Sequence, residues 1–317
     1  MLDNLQKELQ IYSACGNVVG IAPLSSVGIE DDVQNNIELR SFLTKWGKEN
    51  NLDSIMVLTG DPLDFKSQGY HFSMIVFEPF GNGNLGGFST MCGNGVRAVA
   101  KYTQQFVDTN EILIKTQSGI LPILESDGNY TVRMGRLVQD AIDLDRYVNR
   151  KEIGKARGAL YNVPIPSELG IIRKYADTWS VAFTTTNEED PDGEPHLIIQ
   201  LPVESKEDLR TFAMRFGQGL TYNNKFFPEG INVNFISTPI VSGDQIKLYN
   251  VTHERNLGDT PEHSITQACG TGSTSVAGVL FKSHPEINSV IVQNYGGNLE
   301  ITRDDQDLLM TGEAHQL

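Results

Sequence analysis

Short apolar runs rich in β-branched and aromatic residues alternate with a few stretches of helical period. Strands are expected at 11–24, around a glycine break, at 53–60 and at 70–79, each bounded by turn formers. Residues 111–135 read as strand, strand, Asp-Gly turn, strand. The second half repeats the style, with strands at 196–202, 230–238, 244–255, 288–303 and 308–313. Helical period marks 37–50 and 205–220. Two further helices, 93–106 and 270–284, each begin directly after a cysteine. The Gly/Asn-rich stretch 81–90 reads as a loop. Strands mixed with few helices indicate an α+β protein.

The cysteine-led helices expose an internal repeat. Cys92-Gly93-Asn94-Gly95 leads into Val96-Arg97-Ala98-Val99-Ala100, and Cys269-Gly270-Thr271-Gly272 leads into Ser273-Thr274-Ser275-Val276-Ala277. Both read Cys-Gly-polar-Gly-x-x-x-Val-Ala. An Asn lies in an apolar strand upstream of each, Asn17 in GNVVGI and Asn232 in INVNFI. Two similar halves are therefore expected, each with a strand-rich sheet and one cysteine-led helix.

Composition narrows the class. A chain of 317 residues exceeds one typical core, which also argues for two domains. Acids outnumber bases 40 to 25, a formal charge of −15, which excludes non-specific binding to a phosphate backbone. No apolar run is long enough to span a membrane, and the N-terminus lacks the basic and apolar regions of a signal peptide. Three cysteines, Cys15, Cys92 and Cys269, do not make a disulfide framework, so a reducing cytoplasm is expected. No His or Cys spacing suits a metal, and none is expected. The acidic stretch 187–194 reads as a solvated loop.

A cysteine at a helix start is a specific chemical setting. The first amides have no acceptor within the helix, and the helix dipole favours negative charge there. Both lower a thiol's pKa and populate the thiolate. Glycines allow close backbone approach, so the same amides can hold a carboxylate. Two such thiols facing one molecule can invert a stereocentre: one removes a proton from a carbon and the other returns a proton to the opposite face. The amides would stabilise the carbanion through the α-carboxylate. A buried cysteine can instead be a small hydrophobe, and a Gly-rich loop a mere turn or phosphate cradle. The repetition of both features favours chemistry. Disulfide exchange lacks its usual Cys-x-x-Cys.

At these residues the chain resembles the diaminopimelate epimerase family, whose members are two-cysteine, cofactor-independent epimerases. The resemblance extends over Met91 to Arg97 and Gln267 to Gly272, over Gly16-Asn17, Phe227 to Val233, His253-Glu254-Arg255 and Gly193-Glu194-Pro195-His196, and over Gly297 to Ile301 and Met310-Thr311-Gly312. It implies two pseudo-symmetric α+β domains, each a mixed sheet wrapped around a central helix, with the active site in the cleft between them. The first domain would take 1–128 plus 288–317, the second 129–287. Cys92 and Cys269 would be catalytic. The amides of Gly93, Asn94, Gly270 and Thr271 would hold the α-carboxylate, Asn17 would order the site, and Asn232, Glu254 and Arg255 would hold the far end of a small amino-acid substrate. No cofactor, nucleic acid or membrane is implied; a homodimer is compatible.

Departures cluster at the far end. Glu78-Pro79-Phe80-Gly81 and a longer loop replace an Asn-Ala-Asp-Gly-type turn, Glu194 replaces an Asn, and Ser54 after Asp53 replaces a Gln; extra residues lie around 260–265. Carboxylates cannot donate to a distal carboxylate, so Glu78 and Glu194 suit a cationic group, such as that of lysine, ornithine, arginine or histidine. Arg255 points the other way unless Glu254 or Glu194 neutralises it. Two readings stand for an epimerase or racemase, diaminopimelate or a cationic amino acid. A non-catalytic small-acid binder would not need both cysteines, and phenazine-biosynthesis-type relatives generally lack the pair. Cys15 is expected to be a packed bystander, His196 and His253 structural imidazoles, and Arg97 a packing and ion-pair residue.

Overall fold

The structure is a computed structural model that describes residues 2–25, 33–81, 85–89, 91–117, 119–155, 157–186, 193–255, 257 and 264–317. Most of the acidic stretch 187–194, most of the insertion around 260–265 and part of the Gly/Asn loop lie outside the described residues.

In chain order the first half contains α1 (Leu2–Glu8), β1 (Gln10–Ala14), β2 (Asn17–Pro23), α2 (Ile37–Glu49), β3 (Ser54–Thr59), α3 (Phe65–Gln68), β4 (Phe72–Glu78), β5 (Gly87–Ser89), α4 (Gly93–Thr103), β6 (Glu111–Thr116), β7 (Gly119–Ser126) and β8 (Asn129–Val138). The second contains β9 (Val163–Pro164), β10 (Thr178–Thr185), β11 (His196–Gln200), α5 (Lys206–Thr221), β12 (Asn232–Ile236), β13 (Ile240–Ser242), β14 (Gln245–His253), α6 (Gly270–Ser283), β15 (Ser289–Gln293), β16 (Asn298–Asp304), β17 (Asp307–Glu313) and β18 (His315–Gln316). The break expected in 11–24 is a two-residue hairpin turn, with Cys15 and Gly16 both in the left-handed region at φ 49 and 80. The expected loop 81–90 contains the short strand β5, which pairs with β4.

Two compact units form, Met1–Arg133 with Thr311–Leu317, and Met134–Met310. The chain thus returns to the first unit at Thr311, not near 288. The reason is pairing: β15 runs parallel to β14 and carries β16 with it, so both belong to the second unit. Among the described residues no helix is long and apolar enough to cross a membrane.

Both units follow one plan. In the first, β1 and β2 form a hairpin, α2 carries the chain to β3 parallel to β2, β4 returns antiparallel, and α4 crosses over to β6 parallel to β4, followed by antiparallel β7. In the second, β10 and β11 are antiparallel, α5 leads to β12 parallel to β11, β14 returns antiparallel, and α6 crosses to β15 parallel to β14, followed by antiparallel β16.

The crossover helices are the centres. In α4 every residue but Lys101 is buried, and the helix packs on β1, β2, β3, β6 and β18. In α6 Gly270 and Gly272 through Phe281 are buried against β10, β11, β12, β15 and β16. A helix enclosed on all sides needs small or apolar residues all round, which the Gly, Ala and Val content supplies. The other two helices have one apolar stripe each. Leu39 and Leu43 of α2 cover Ile55, Val57 and Phe77, and Leu209, Ala213 and Leu220 of α5 join the core of Phe235 and Val251. Asn36 and Ser205 cap these helices by accepting from Leu39 N and Asp208 N.

Side-chain contacts fix which positions correspond. A methyl on Gly95 would strike Met56, and one on Gly272 would strike Asn234, so the third residues of β3 and β12 are equivalent. Ser54 therefore matches Asn232. Asn17 begins β2, whose counterpart is β11, so the two asparagines expected to be equivalent hold different places.

Candidate functional site

Each cysteine is the N-cap of its unit's central helix. Cys92 and Cys269 adopt extended backbone, φ −138, ψ 103 and φ −105, ψ 114, and each sulfur accepts from the third amide of the helix. Gly95 N donates to Cys92 Sγ at 3.2 Å, and Gly272 N to Cys269 Sγ at 3.3 Å. Gly93, Asn94, Gly270 and Thr271 therefore form the first turns, where helix amides face outward from the end. The glycine at the third position is needed because Met56 or Asn234 leaves no room for a side chain.

The two thiols differ in surroundings. Cys92 is half-buried, with Ser54 Oγ 3.7 Å from its sulfur. Cys269 is buried and hydrogen-bonded to the Glu254 carboxylate, with Thr271 Oγ1 at 3.5 Å. Burial first, then the Glu254 charge, push its pKa well above the usual thiol value, although the Thr271 hydroxyl and Gly272 amide pull it down. The expected lowering by the helix start is thus overridden at Cys269, and its resting form is the thiol.

Beneath α6 lies a buried polar network. Asn234 Nδ2 donates to Asn250 Oδ1 and Thr252 Oγ1, so its Oδ1 is left to accept from His196 Nδ1 at 2.7 Å. The second ring nitrogen, Nε2, lies 3.0 Å from Thr271 Oγ1, whose single hydroxyl proton serves either this ring or the Cys269 sulfur. Full burial lowers the His196 pKa to about 4, so the ring is neutral near pH 7. The network continues through Asn250 and Asn294 to Ser273 on α6. His253 is also buried, with a pKa lowered to about 4 by desolvation, and its Nδ1 meets Thr221 Oγ1 at 2.8 Å.

Beneath α4 the polar work falls to Arg97, fully buried. Its guanidinium donates to Glu313 O at 2.9 Å, Cys15 Sγ at 3.1 Å, Gly93 O at 3.4 Å and Asn94 Oδ1. These described partners are carbonyls, an amide and a thiol rather than the expected carboxylate. Cys15 is packed, as expected, and in addition supports Arg97.

The far-end residues fall into place as follows. Arg255 Nη2 pairs with Glu194 Oε2 at 2.8 Å, Nη1 donates to Glu229 O at 3.1 Å, and its backbone N donates to Asn232 Oδ1 at 2.9 Å. Glu194, Asn232, Glu254 and Arg255 thus gather near Cys269 and the end of β14. Asn17 is buried at the start of β2, and Glu78 ends β4. Asn234, Asn250 and Asn294 give no sequence signal, because isolated polar residues in apolar strands have no telling spacing; Ser54, one of the far-end departures, lies instead beside the Cys92 sulfur. Among the described residues no group of three or more His, Cys, Asp and Glu is arranged to hold a metal.

The diaminopimelate epimerase family model matches residues 192–317. The diaminopimelate epimerase of Bacillus velezensis is 30% identical over 239 residues, 73% of each chain. The chain belongs to the diaminopimelate epimerase family. Its relatives include the enzymes named diaminopimelate epimerase from Trichodesmium erythraeum, 29% identical over 72% of each chain, and from Brachyspira hyodysenteriae, 26% identical over 82% of this chain and 79% of that one. Solved structures share the fold at much lower identity. A putative phenazine biosynthesis PhzC/PhzF protein from Clostridium difficile has a TM-score of 0.60 at 13% identity, covering 98% of this chain and 96% of that one. A hydroxyproline epimerase from Agrobacterium vitis has a TM-score of 0.57 at 12% identity, covering 98% and 90%. Membership of the diaminopimelate epimerase family makes the protein an isomerase.

Proposed function

We propose that the protein is a cofactor-independent amino-acid epimerase or racemase in which Cys92 and Cys269 act on opposite faces of one α-carbon. The observation that carries this is the twofold recurrence of a cysteine N-cap on an enclosed helix in two units of the same plan. The α-carboxylate would be held by the first-turn amides of Gly93, Asn94, Gly270 and Thr271, which favour the charge that builds there as the α-proton leaves. One sulfur, as thiolate, takes that proton; the other, as thiol, delivers its own to the opposite face. The substrate's proton count is unchanged and its configuration inverts. Cys269, held as a thiol beside Glu254, is the acid at rest. A reducing cytoplasm would keep both thiols available.

Two side-chain readings have support. The names of the relatives, with Asn232 and Arg255 in place, support diaminopimelate. The Glu194–Arg255 pair supports an amino acid without a distal carboxylate, because the Arg255 guanidinium is already engaged by an internal carboxylate. We take the second reading, with a cationic side chain such as that of lysine, ornithine, arginine or histidine.

Incubation in D₂O with reductant, using diaminopimelate, lysine, ornithine, arginine and histidine, tests both levels. Deuterium at the α-carbon with inversion is expected for at least one cationic substrate. Turnover of diaminopimelate alone would return the substrate reading to that compound, and no labelling of any would leave a small-acid binder.

A further inference from the structure

The correspondence between the two units reaches one residue that the mechanism above leaves idle. Ser54 matches Asn232, because Met56 and Asn234 meet the equivalent glycines of the central helices. Ile55 pairs with Phe77 across β3 and β4, and Val233 pairs with His253 across β12 and β14. One step further, Ser54 lies opposite Glu78 and Asn232 opposite Glu254. Glu78 and Glu254 are therefore equivalent, one per unit.

Residues directly opposite in an antiparallel pair share a face of the sheet, and residues two apart in a strand do as well. Met56 faces α4, so Ser54 and Glu78 face α4 too. Ser54 confirms the direction, with its hydroxyl 3.7 Å from Cys92 Sγ. In the second unit the same position places Glu254 on the Cys269 thiol.

The geometry points to Glu78 as the carboxylate partner of the Cys92 thiol, equivalent to Glu254 at Cys269, rather than as a reader of the substrate's side chain. It deepens the two-base reading, since each thiol then has its own proton acceptor. When Cys92 becomes the base, its S–H bond breaks and the proton passes to a Glu78 carboxylate oxygen, leaving a thiolate. When Cys92 is the acid, Glu78 stays ionised and accepts from the thiol. Glu78 touches sulfur, not substrate, and is a positioning residue. Among the described charged groups near this end of α4, Asp53 accepts from Val18 N, and Arg97 is spent on Gly93, Asn94, Cys15 and Glu313.

Alkylation by iodoacetamide, followed peptide by peptide against pH, tests this without substrate. Removing the charge in Glu78→Gln should move the Cys92 midpoint to lower pH and speed its alkylation below the midpoint roughly tenfold, while Cys269 is unchanged. Glu254→Gln should do the same for Cys269 alone. Fully buried Cys15 reports folding, because its labelling would reveal an opened chain. If Glu78→Gln opens the chain, Glu78→Asp, which retracts the carboxylate by one methylene, must move the Cys92 profile the same way but less. A Cys92 profile that moves in neither variant overturns the proposal. Normal inversion with an unmoved profile would defeat this inference alone, and a moved profile without inversion would defeat the two-base reading alone.

Discussion

The starts of α4 and α6 are the same backbone device built on two different foundations. Each has a cysteine N-cap, a glycine at the third position and a side chain five residues on that bonds back to the first-turn carbonyl: Arg97 to Gly93 O and Thr274 to Gly270 O. Under α4 one buried cation ties the turn to Glu313 and Asn94. Under α6 short neutral groups do so as a web of Asn234, Asn250, Asn294 and His196. The thiols diverge in exposure. Cys92 is half-buried, with the Ser54 hydroxyl near its sulfur, whereas Cys269 is fully buried and is held protonated. A helix start sets where a sulfur sits and what it can accept from; desolvation and tertiary charge decide its proton.

The largest effect should come from removing either sulfur. Cys92→Ala and Cys269→Ala should each reduce inversion of the accepted amino acid by at least about 10²–10⁴-fold, the range expected when a positioned acid or base is lost. Inversion is read by chiral chromatography. If one variant kept normal turnover, the two ends would not be partners in one reaction, and the likeness between them would be structural only.

Stability should separate the two foundations. Arg97→Leu removes the fully buried guanidinium that donates to Glu313 O, Gly93 O and Asn94 Oδ1, and should cost roughly 2–4 kcal/mol in urea unfolding. Thr274→Val removes one hydroxyl whose acceptor keeps its helical partner, and should cost about 1 kcal/mol. Equal losses would break the contrast between a single cation and a distributed web.

Acid should act on the units unequally. His196 and His253 have pKa values lowered from 6.5 to about 4 by burial, so below pH 6.5 the unfolded chain binds protons that the folded second unit refuses. Stability carried by these rings is present above pH 6.5 and is lost as the pH falls toward 4, by roughly 3 kcal/mol for each. In the first unit burial also lowers the His71 pKa, with the same sign. Asp53 opposes it there: burial raises its pKa from 3.8 to about 6, so the folded form gains protons first and is relieved across that window. Hydrogen exchange corrected for intrinsic rates should therefore show protection falling between pH 6.5 and 4 mainly in 134–310. Equal loss in both units would contradict the balance assigned to Asp53.

Much of this organisation was legible in the chain. The cysteine-glycine repeat announced both central helices, and the leucine spacing of α2 and α5 announced the outer ones, because period and capping are local properties. The alternation around Cys15 and Gly16 marked a break without showing that it closes a hairpin, since Cys15 is an unusual residue for the left-handed region. Strand β10 is hard to read from the chain, because TWSVAFTT has no outstanding period and follows a long irregular stretch. The sequence cannot show that the return to the first unit comes at Thr311 rather than near 288, because β15 and β16 read as strands regardless of which sheet accepts them; only pairing to β14 decides. The Asn234 and Arg97 networks were hidden for the same reason: partners far apart in sequence meet only through the fold. At the far end, the possibility that Glu194 neutralises Arg255 was open in the sequence, and the 2.8 Å pair resolves it.

That pair carries the smallest expected effect on stability and the sharpest one on substrate choice. Both side chains remain partly exposed, 17% for Arg255 and 25% for Glu194, so solvent screens the pair and its loss should cost less than about 1 kcal/mol. Glu194→Asn removes the carboxylate and restores an amide donor. Arg255 then keeps its bond to Glu229 O through Nη1 and its backbone bond to Asn232, but Nη2 is released. A freed guanidinium nitrogen beside an amide favours a distal carboxylate and disfavours a distal ammonium. The ratio of kcat/KM for diaminopimelate over lysine should rise by roughly tenfold, about 1.4 kcal/mol in relative barrier. No equivalent switch exists at the matching place in the first unit, where Pro79 follows Glu78 as Arg255 follows Glu254. An unchanged ratio would mean that the Glu194–Arg255 pair braces the end of β14 and takes no part in choosing the substrate, leaving the difference between the two ends confined to the sulfurs and what lies beneath them.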